Sequence, residues 1–205
     1  MGVSRRTASV SADKHNIVPL CVLVNMVHFF TGNHDIWAFG YLPEECGVIL
    51  HTHNEIFRIA GKRFLIGHGD ALNPQDKGYL FLYRIFHNRF LQRCFRWLHP
   101  DIGILIARKW SSHSRLENGK IEADAFRGAE KEEIVRFCRE VLQGQHFDYF
   151  IFGHRHLPID FTLSPSSRYI NTGDWITYYS FASFDGREVV LETEDKNQDF
   201  HFDLL

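Results

Sequence analysis

The sequence predicts a layered α/β domain, and three observations carry that prediction. Apolar runs rich in Val, Ile, Leu and Phe, at 20–30, 55–66 and 147–152, read as buried strands. Each gives way to a polar loop opened by glycine: Gly32-Asn33-His34-Asp35, Gly67-His68-Gly69-Asp70 and Gly153-His154-Arg155-His156. Helical periodicity lies between the second and third runs. A parallel or mixed sheet that presents polar loops at its strand ends is where α/β folds place ligand sites.

Taken in order, residues 1–16 are polar, Ser-rich and patternless, the composition of a disordered or non-native start. Residues 17–205 then form one domain without repeats. "EIFRIAGKRFLIGHGD" (55–70) reads as two strands around a Gly61-Lys62 turn. Residues 77–115 look helical and aromatic-rich. "DAFRGAEKEEIVRFCREVLQGQ" (124–145) reads as an amphipathic helix with Ile134, Phe137, Cys138, Val141 and Leu142 on one face, stopped at Gly144. "FDYFIFGHRH" is a strand entering its loop, "RYINTGDW" is another strand, and "YYSFASFDGREVVLETE" folds around Asp185-Gly186.

Composition narrows the function. At 205 residues and 44% hydrophobic content the chain can bury a proper core. A formal charge of −2 gives no global pull toward nucleic acid or anionic membrane. Cys21, Cys46, Cys94 and Cys138 form no CxxC pair, which argues against a zinc knuckle and for reduced thiols in a cytoplasmic setting. No apolar segment follows the first charges as in a secretory leader, and "IVPLCVLVNMVHFF" is too short and polar to span a bilayer. Thirteen histidines raise the prospect of metal chemistry. Imidazole combined with amide and carboxylate oxygen suits Mn, Fe or Zn. A His-x-His pair can send its rings to two neighbouring ions, and two ions about 3.5–4 Å apart can clamp a phosphoryl group.

"GNHD", "GHGD" and "GHRH", in this order, resemble the motifs of the calcineurin-like metallophosphoesterases. From about residue 22 onward the chain is similar to the later two-thirds of that domain. The nearest likeness is to the UDP-2,3-diacylglucosamine pyrophosphatases of lipid A synthesis, carried by "IGHGDALNPQDKGYLFLYRIFHNRFLQRCFRWLHP", "FDYFIFGHRHLP" and "NTGDW". The resemblance implies a four-layer sandwich with a helical insert at about 77–115, and two divalent ions, Mn²⁺ first, with Fe or Zn as alternatives. It implies that Asn33, His68 and His154 ligate one ion and His156 the other. It implies that His34 meets the phosphoryl group, where it could protonate the leaving oxygen with Asp35 orienting it, and that Asp70 supports the His68 loop. Many of these pyrophosphatases carry Arg at the position of His34, which leaves open whether His34 acts as an acid or only contacts phosphate.

The family's first two motifs, Asp-x-His and Gly-Asp, have no clear counterpart ahead of Gly32. Asp13-Lys14-His15 matches the first literally, but no strand leads into it. The expectation is an N-terminally truncated domain whose activity is impaired. A different hydrolase of the superfamily, acting on a nucleotide or phosphoprotein, and a non-catalytic remnant are the competing readings.

Between Lys77 and Arg115 stand eight Lys/Arg against one acid, Asp101, interleaved with aromatic and aliphatic residues. That pattern suits a membrane interface, a solvated core helix or single-stranded nucleic acid. The resemblance favours the lipid surface. It implies a helical lid over acyl chains, a lipid-linked nucleotide as substrate with no nucleic acid partner, and a cytoplasmic enzyme peripheral to the inner membrane. Lys77, Arg84 and Arg89 are the expected diphosphate contacts.

Overall fold

The computed structural model describes residues 26–38, 40–99, 101–105, 126 and 128–194. The chain divides into two compact units, with the boundary between His53 and Asn54.

In the first unit β1 (His28–Phe30) runs parallel to β2 (Ile49–His51), with Phe30 opposite His51. Only the last three residues of the strand expected over 20–30 are seen as strand; 20–25 lie outside the described residues. Helix α1 (Tyr41–Cys46) makes the crossover and ends at Gly47, whose φ of +65° suits a residue without a Cβ. Neither α1 nor β2 announces itself in the sequence, because each spans a handful of residues and shows no full period.

The second unit is built on a five-stranded sheet of order β3-β4-β5-β7-β6. Its strands are β3 (Glu55–Ile59), β4 (Lys62–Ile66), β5 (Tyr149–Phe152), β6 (Pro158–Ser164) and β7 (Ser167–Thr172). β4, β5 and β7 are mutually parallel, while β3 and β6 flank them antiparallel. The sheet is therefore mixed, as the loop pattern anticipates. β6 was not expected; Pro158 opens it on the sheet's edge, the place where a missing N–H is tolerated.

Two boundaries differ from the expectation. The β3–β4 turn is centred on Ala60-Gly61, with φ of 49° and 82°, and Lys62 is already strand. Two positive φ values in a two-residue hairpin are what strand twist demands. The amphipathic helix, here α4 (Glu133–Gly144), starts well after residue 124, because Gly128 at φ +87° stands in a turn that helix cannot include. The segment expected to be helical over 77–115 is α2 (Lys77–His87), α3 (Arg89–Arg96) and helical residues 101–105; 106–115 lie outside the described residues. Asp76 caps α2 through the Tyr79 N–H at 2.8 Å, and Asn88 caps α3 through the N–H groups of Phe90 and Leu91.

Strand alternation sorts the sheet's side chains into two cores. Leu65, Phe150, Phe152 and Tyr169 face α4, meeting Ile134, Val135 and Cys138, with Phe137, Val141 and Leu142 packed alongside. Phe64, Tyr149 and Ile170 face the other way, onto the hairpin of β8 (Ser180–Phe184) and β9 (Val189–Thr193), where Val189 and Leu191 are buried. Helix, sheet and second sheet thus stack around residues such as Phe150, fully buried and worth about 1.5–3 kcal/mol each in burial. Cys46, Cys94 and Cys138 are free thiols.

Candidate functional site

The parallel strands β4, β5 and β7 end side by side, and each runs into glycine. The loops are Gly67-His68-Gly69-Asp70, Gly153-His154-Arg155-His156 and Gly173-Asp174-Trp175. Backbone bonds lace the first two: the His68 carbonyl accepts the N–H of Gly153 at 3.0 Å and of His154 at 2.9 Å. That register brings His154 Nδ1 to 3.3 Å from His68 Nε2, with the rings at 71° to each other. Two imidazole nitrogens bound to one ion at about 2.1 Å would stand roughly 3.0–3.4 Å apart. Burial, then the neighbouring His68, pulls the His154 pKa down to about 4, so the ring is neutral with a lone pair to offer.

Glycine's part in these loops differs from the expectation. Gly32, Gly67 and Gly153 do not adopt the left-handed backbone; Gly69 does, at φ +102°. Gly67 is needed for space, since a Cβ there would run into Asn54 Oδ1. At Gly69 a Cβ would press on Phe152 at 3.1 Å and on His154 at 3.4 Å.

The remaining side chains of the His154 loop are held elsewhere. Arg155 reaches the buried carboxylate of Glu132 with both Nε and Nη2, each at 3.2 Å. His156 adopts φ +53° and points Nδ1 toward Asp174 Oδ2 at 3.9 Å. Burial would raise the Asp174 pKa, but the N–H groups of Thr177, Ile176 and Tyr178, with His156, bring it below the usual carboxylate range. A cavity of about 480 Å³ opens beside His154. Asp76 and Tyr79 of the α2 start, Asn73, Lys131 and the Glu132–Arg155 pair are among its walls.

No family model matches the chain. Among curated proteins, the UDP-2,3-diacylglucosamine hydrolase of Porphyromonas gingivalis is 34% identical over 178 residues, 82% of this chain and 68% of that protein. The chain belongs to the UDP-2,3-diacylglucosamine hydrolase family. Proteins of the same name from Photorhabdus laumondii (29% identical, 64% of this chain) and Blochmanniella pennsylvanica (26% identical, 85% of this chain) are also similar. The chain spans 52% of the former and 66% of the latter. A solution NMR structure of a Thermotoga maritima protein overlaps 88% of this chain and 72% of that one at 18% identity and a TM-score of 0.37, too slight to bear on the fold.

The UDP-2,3-diacylglucosamine hydrolases are calcineurin-like metallophosphoesterases, and that membership implies divalent metal ions. The His68–His154 pair fits such an ion in spacing, and the neutral His154 ring fits it in protonation. Among the described residues no group of three or more His, Cys, Asp or Glu side chains is gathered into a cage. Asn33, His34 and Asp35 lie in the first unit, in a turn closed by the Asp35 N–H on the Gly32 carbonyl at 3.0 Å. His34 and Asp35 are both exposed, and no hydrogen bond joins them among the described residues. Asp70 accepts the Tyr79 hydroxyl at 3.3 Å, tying the His68 loop to α2; burial and then Asp70 raise the Tyr79 pKa. Lys77, Arg84 and Arg89 are exposed and do not line the cavity. Asp13 and His15 lie outside the described residues.

Sequence reasoning missed Glu132, Arg155 and Asp174. Asp174 was within reach, for "RYINTGDW" repeats the strand–Gly–polar signature of the two histidine loops. Glu132 carried no signal, since an acid in "EKEEIVRF" reads as a solvated helix start.

Proposed function

We propose that this chain hydrolyses the diphosphate of UDP-2,3-diacylglucosamine, giving UMP and the lipid monophosphate for lipid A synthesis. The observation that carries the reading is the convergence of His68 Nε2 and His154 Nδ1 at 3.3 Å beside the cavity, in a chain of this family. Two divalent ions, Mn²⁺ first, would be held by Asn33, His68, His154 and His156. When bound, such ions withdraw charge from phosphoryl oxygens and ease deprotonation of the attacking water. Water adds to one phosphorus and the P–O–P bridge breaks. His34 delivers a proton to the departing oxygen and Asp35 steadies the imidazole. Lys77, Arg84 and Arg89 contact the diphosphate and headgroup phosphates, joined by Lys131 on the cavity wall.

The helical segment from Lys77 acts as a lid over the acyl chains. Phe81, Phe90 and Trp97 are exposed to 63%, 71% and 90%, and Arg84, Arg89, Arg93 and Arg96 alternate with them. Such a surface suits the anionic face of a bilayer. No described helix is long and apolar enough to cross a membrane, and the contact proposed is a peripheral one. The α4–sheet–hairpin stack supplies three layers of the proposed four-layer sandwich.

The test is UMP release from UDP-2,3-diacylglucosamine with Mn²⁺, alongside metal content per chain. Release that chelation abolishes and Mn²⁺ restores is the expected result. No release, or equal turnover of unrelated nucleotide diphosphates, overturns the substrate assignment.

A further inference from the structure

Arg155 stands between two proposed metal ligands, yet its own side chain turns to a different element. Glu132 immediately precedes α4 and has only 3% of its surface exposed. Its carboxylate does not cap the helix. Its Oε1 accepts a hydrogen bond from Arg155 Nη2 at 3.2 Å, and Oε2 stands 3.2 Å from Nε as an ion-pair contact. A planar guanidinium held by one hydrogen bond and a second ion-pair contact restrains the backbone behind it more closely than a lysine ammonium would. The adjoining residue, His156, sits at φ +53°. A side-chain-bearing residue in that region is strained and stays there only while its surroundings over-determine it. Its ion-pair partner Asp174 is 3.9 Å away and its N–H reaches the Gly153 carbonyl only at 3.5 Å, both too long to impose a backbone angle.

We infer that the Glu132–Arg155 pair is a positioning device, which locks the His154-Arg155-His156 loop so that both imidazoles keep their ligating directions. The inference rests on the reading that His68 and His154 hold a metal ion. Arg155 touches neither substrate nor ion in this scheme; it acts through its two neighbours. The pair also forms part of the cavity wall, so the same lock fixes one side of the space beside His154. Outer-shell partners of this kind typically change metal affinity by about 10–100-fold when removed.

The experiment compares Arg155→Lys, Arg155→Met and the double variant Glu132→Leu/Arg155→Met in the full chain. The double variant matters because Arg155→Met alone strands a buried carboxylate, whereas replacing both partners with apolar groups preserves folding. Each is titrated with Mn²⁺ and with Co²⁺, and the ring nitrogens of His154 and His156 are followed by ¹H–¹⁵N NMR without metal. The expected result is a loss of affinity of about 10–100-fold in the double variant and a smaller loss in Arg155→Lys. The metal-free spectra should show His156 signals broadened or shifted while the melting temperature stays near that of the parent. Affinity within about threefold of the parent, or unchanged His154 and His156 ring signals in a folded double variant, overturns the inference. His68→Ala separates the two failures. If it leaves metal binding intact, the metal reading falls, and the ring spectra alone then decide on the lock.

Discussion

The two ends of the parallel strands β4, β5 and β7 are built to different standards. At the starting end, charge is matched locally. Asp148 accepts the Lys62 ammonium at 3.1 Å and the Arg63 N–H at 2.8 Å. Arg63 donates to the His146 carbonyl and Gln145 Oε1, and its guanidinium lies 4.4 Å from the Phe147 ring centre. Ser167 closes on the Phe147 carbonyl at 2.6 Å. At the finishing end, two imidazoles face each other across 3.3 Å and a histidine holds φ +53° beside an open cavity. The difference teaches where this fold keeps its stability and where it keeps its chemistry. Strain and a closely opposed imidazole pair are tolerated at one end because the shared core and the other end compensate.

The largest expected effect removes what both ends share. Phe150 is fully buried between β4, β7 and α4, so Phe150→Ala should cost about 3–5 kcal/mol. Urea melts should show the whole second unit losing stability together. A loss below about 1.5 kcal/mol would mean that the ends are not braced by one core. Next come the imidazoles. His68→Ala and His154→Ala should each lower metal affinity by more than about 100-fold, beyond the outer-shell range, and abolish hydrolysis while leaving the melting temperature little changed. Calorimetric titration and UMP release measure the two halves of that expectation.

Asp148→Asn probes the opposite end and should cost about 1–2 kcal/mol with hydrolysis unaltered. Burial acts to raise the Asp148 pKa, but the Arg63 N–H, Lys62 and His146 outweigh it and hold it below the usual value. The sign follows from that depression. The stabilisation is full above the unfolded pKa near 3.9 and fades as pH falls through the lower, folded value. Thermal melts from neutrality into acid should therefore show the parent and Asp148→Asn converging at low pH. A gap that widens in acid would contradict the assignment.

These ends were unequally legible in the sequence. The histidine loops stood out because Gly-His after an apolar run is a local pattern, and local patterns survive in one dimension. A parallel or mixed sheet followed from that loop pattern, and the face of α4 from helical periodicity, for the same reason. Val135, fully buried in α4, and Glu132 were not legible, because their burial comes from β5 and the Arg155 loop rather than from helical spacing. The starting end was silent too. Asp148 and Arg63 lie 85 positions apart, and nothing in either neighbourhood predicts that one accepts the other's N–H. The turn at Ala60-Gly61 and the late start of α4 were lost to a single quantity, positive φ, at which residue type only hints.

The smallest expected effect draws the comparison most finely. Lys62 contributes an ion pair to Asp148, but its side chain is 42% exposed, so water and salt screen much of the attraction. Lys62→Ala should cost about 0.2–1 kcal/mol, because Asp148 keeps its bond from the Arg63 N–H at 2.8 Å. About 0.5 M salt should erase most of that difference, as it shortens the screening length to a few ångströms. Hydrolysis should not change in either kcat or KM. Lys62 and Ile66 are the two ends of one five-residue strand whose last residue leads directly into Gly67 and His68. A shift in KM from Lys62→Ala would therefore show that β4 carries displacement from its charged start to its histidine end. The two ends would then be a coupled pair rather than a division of labour.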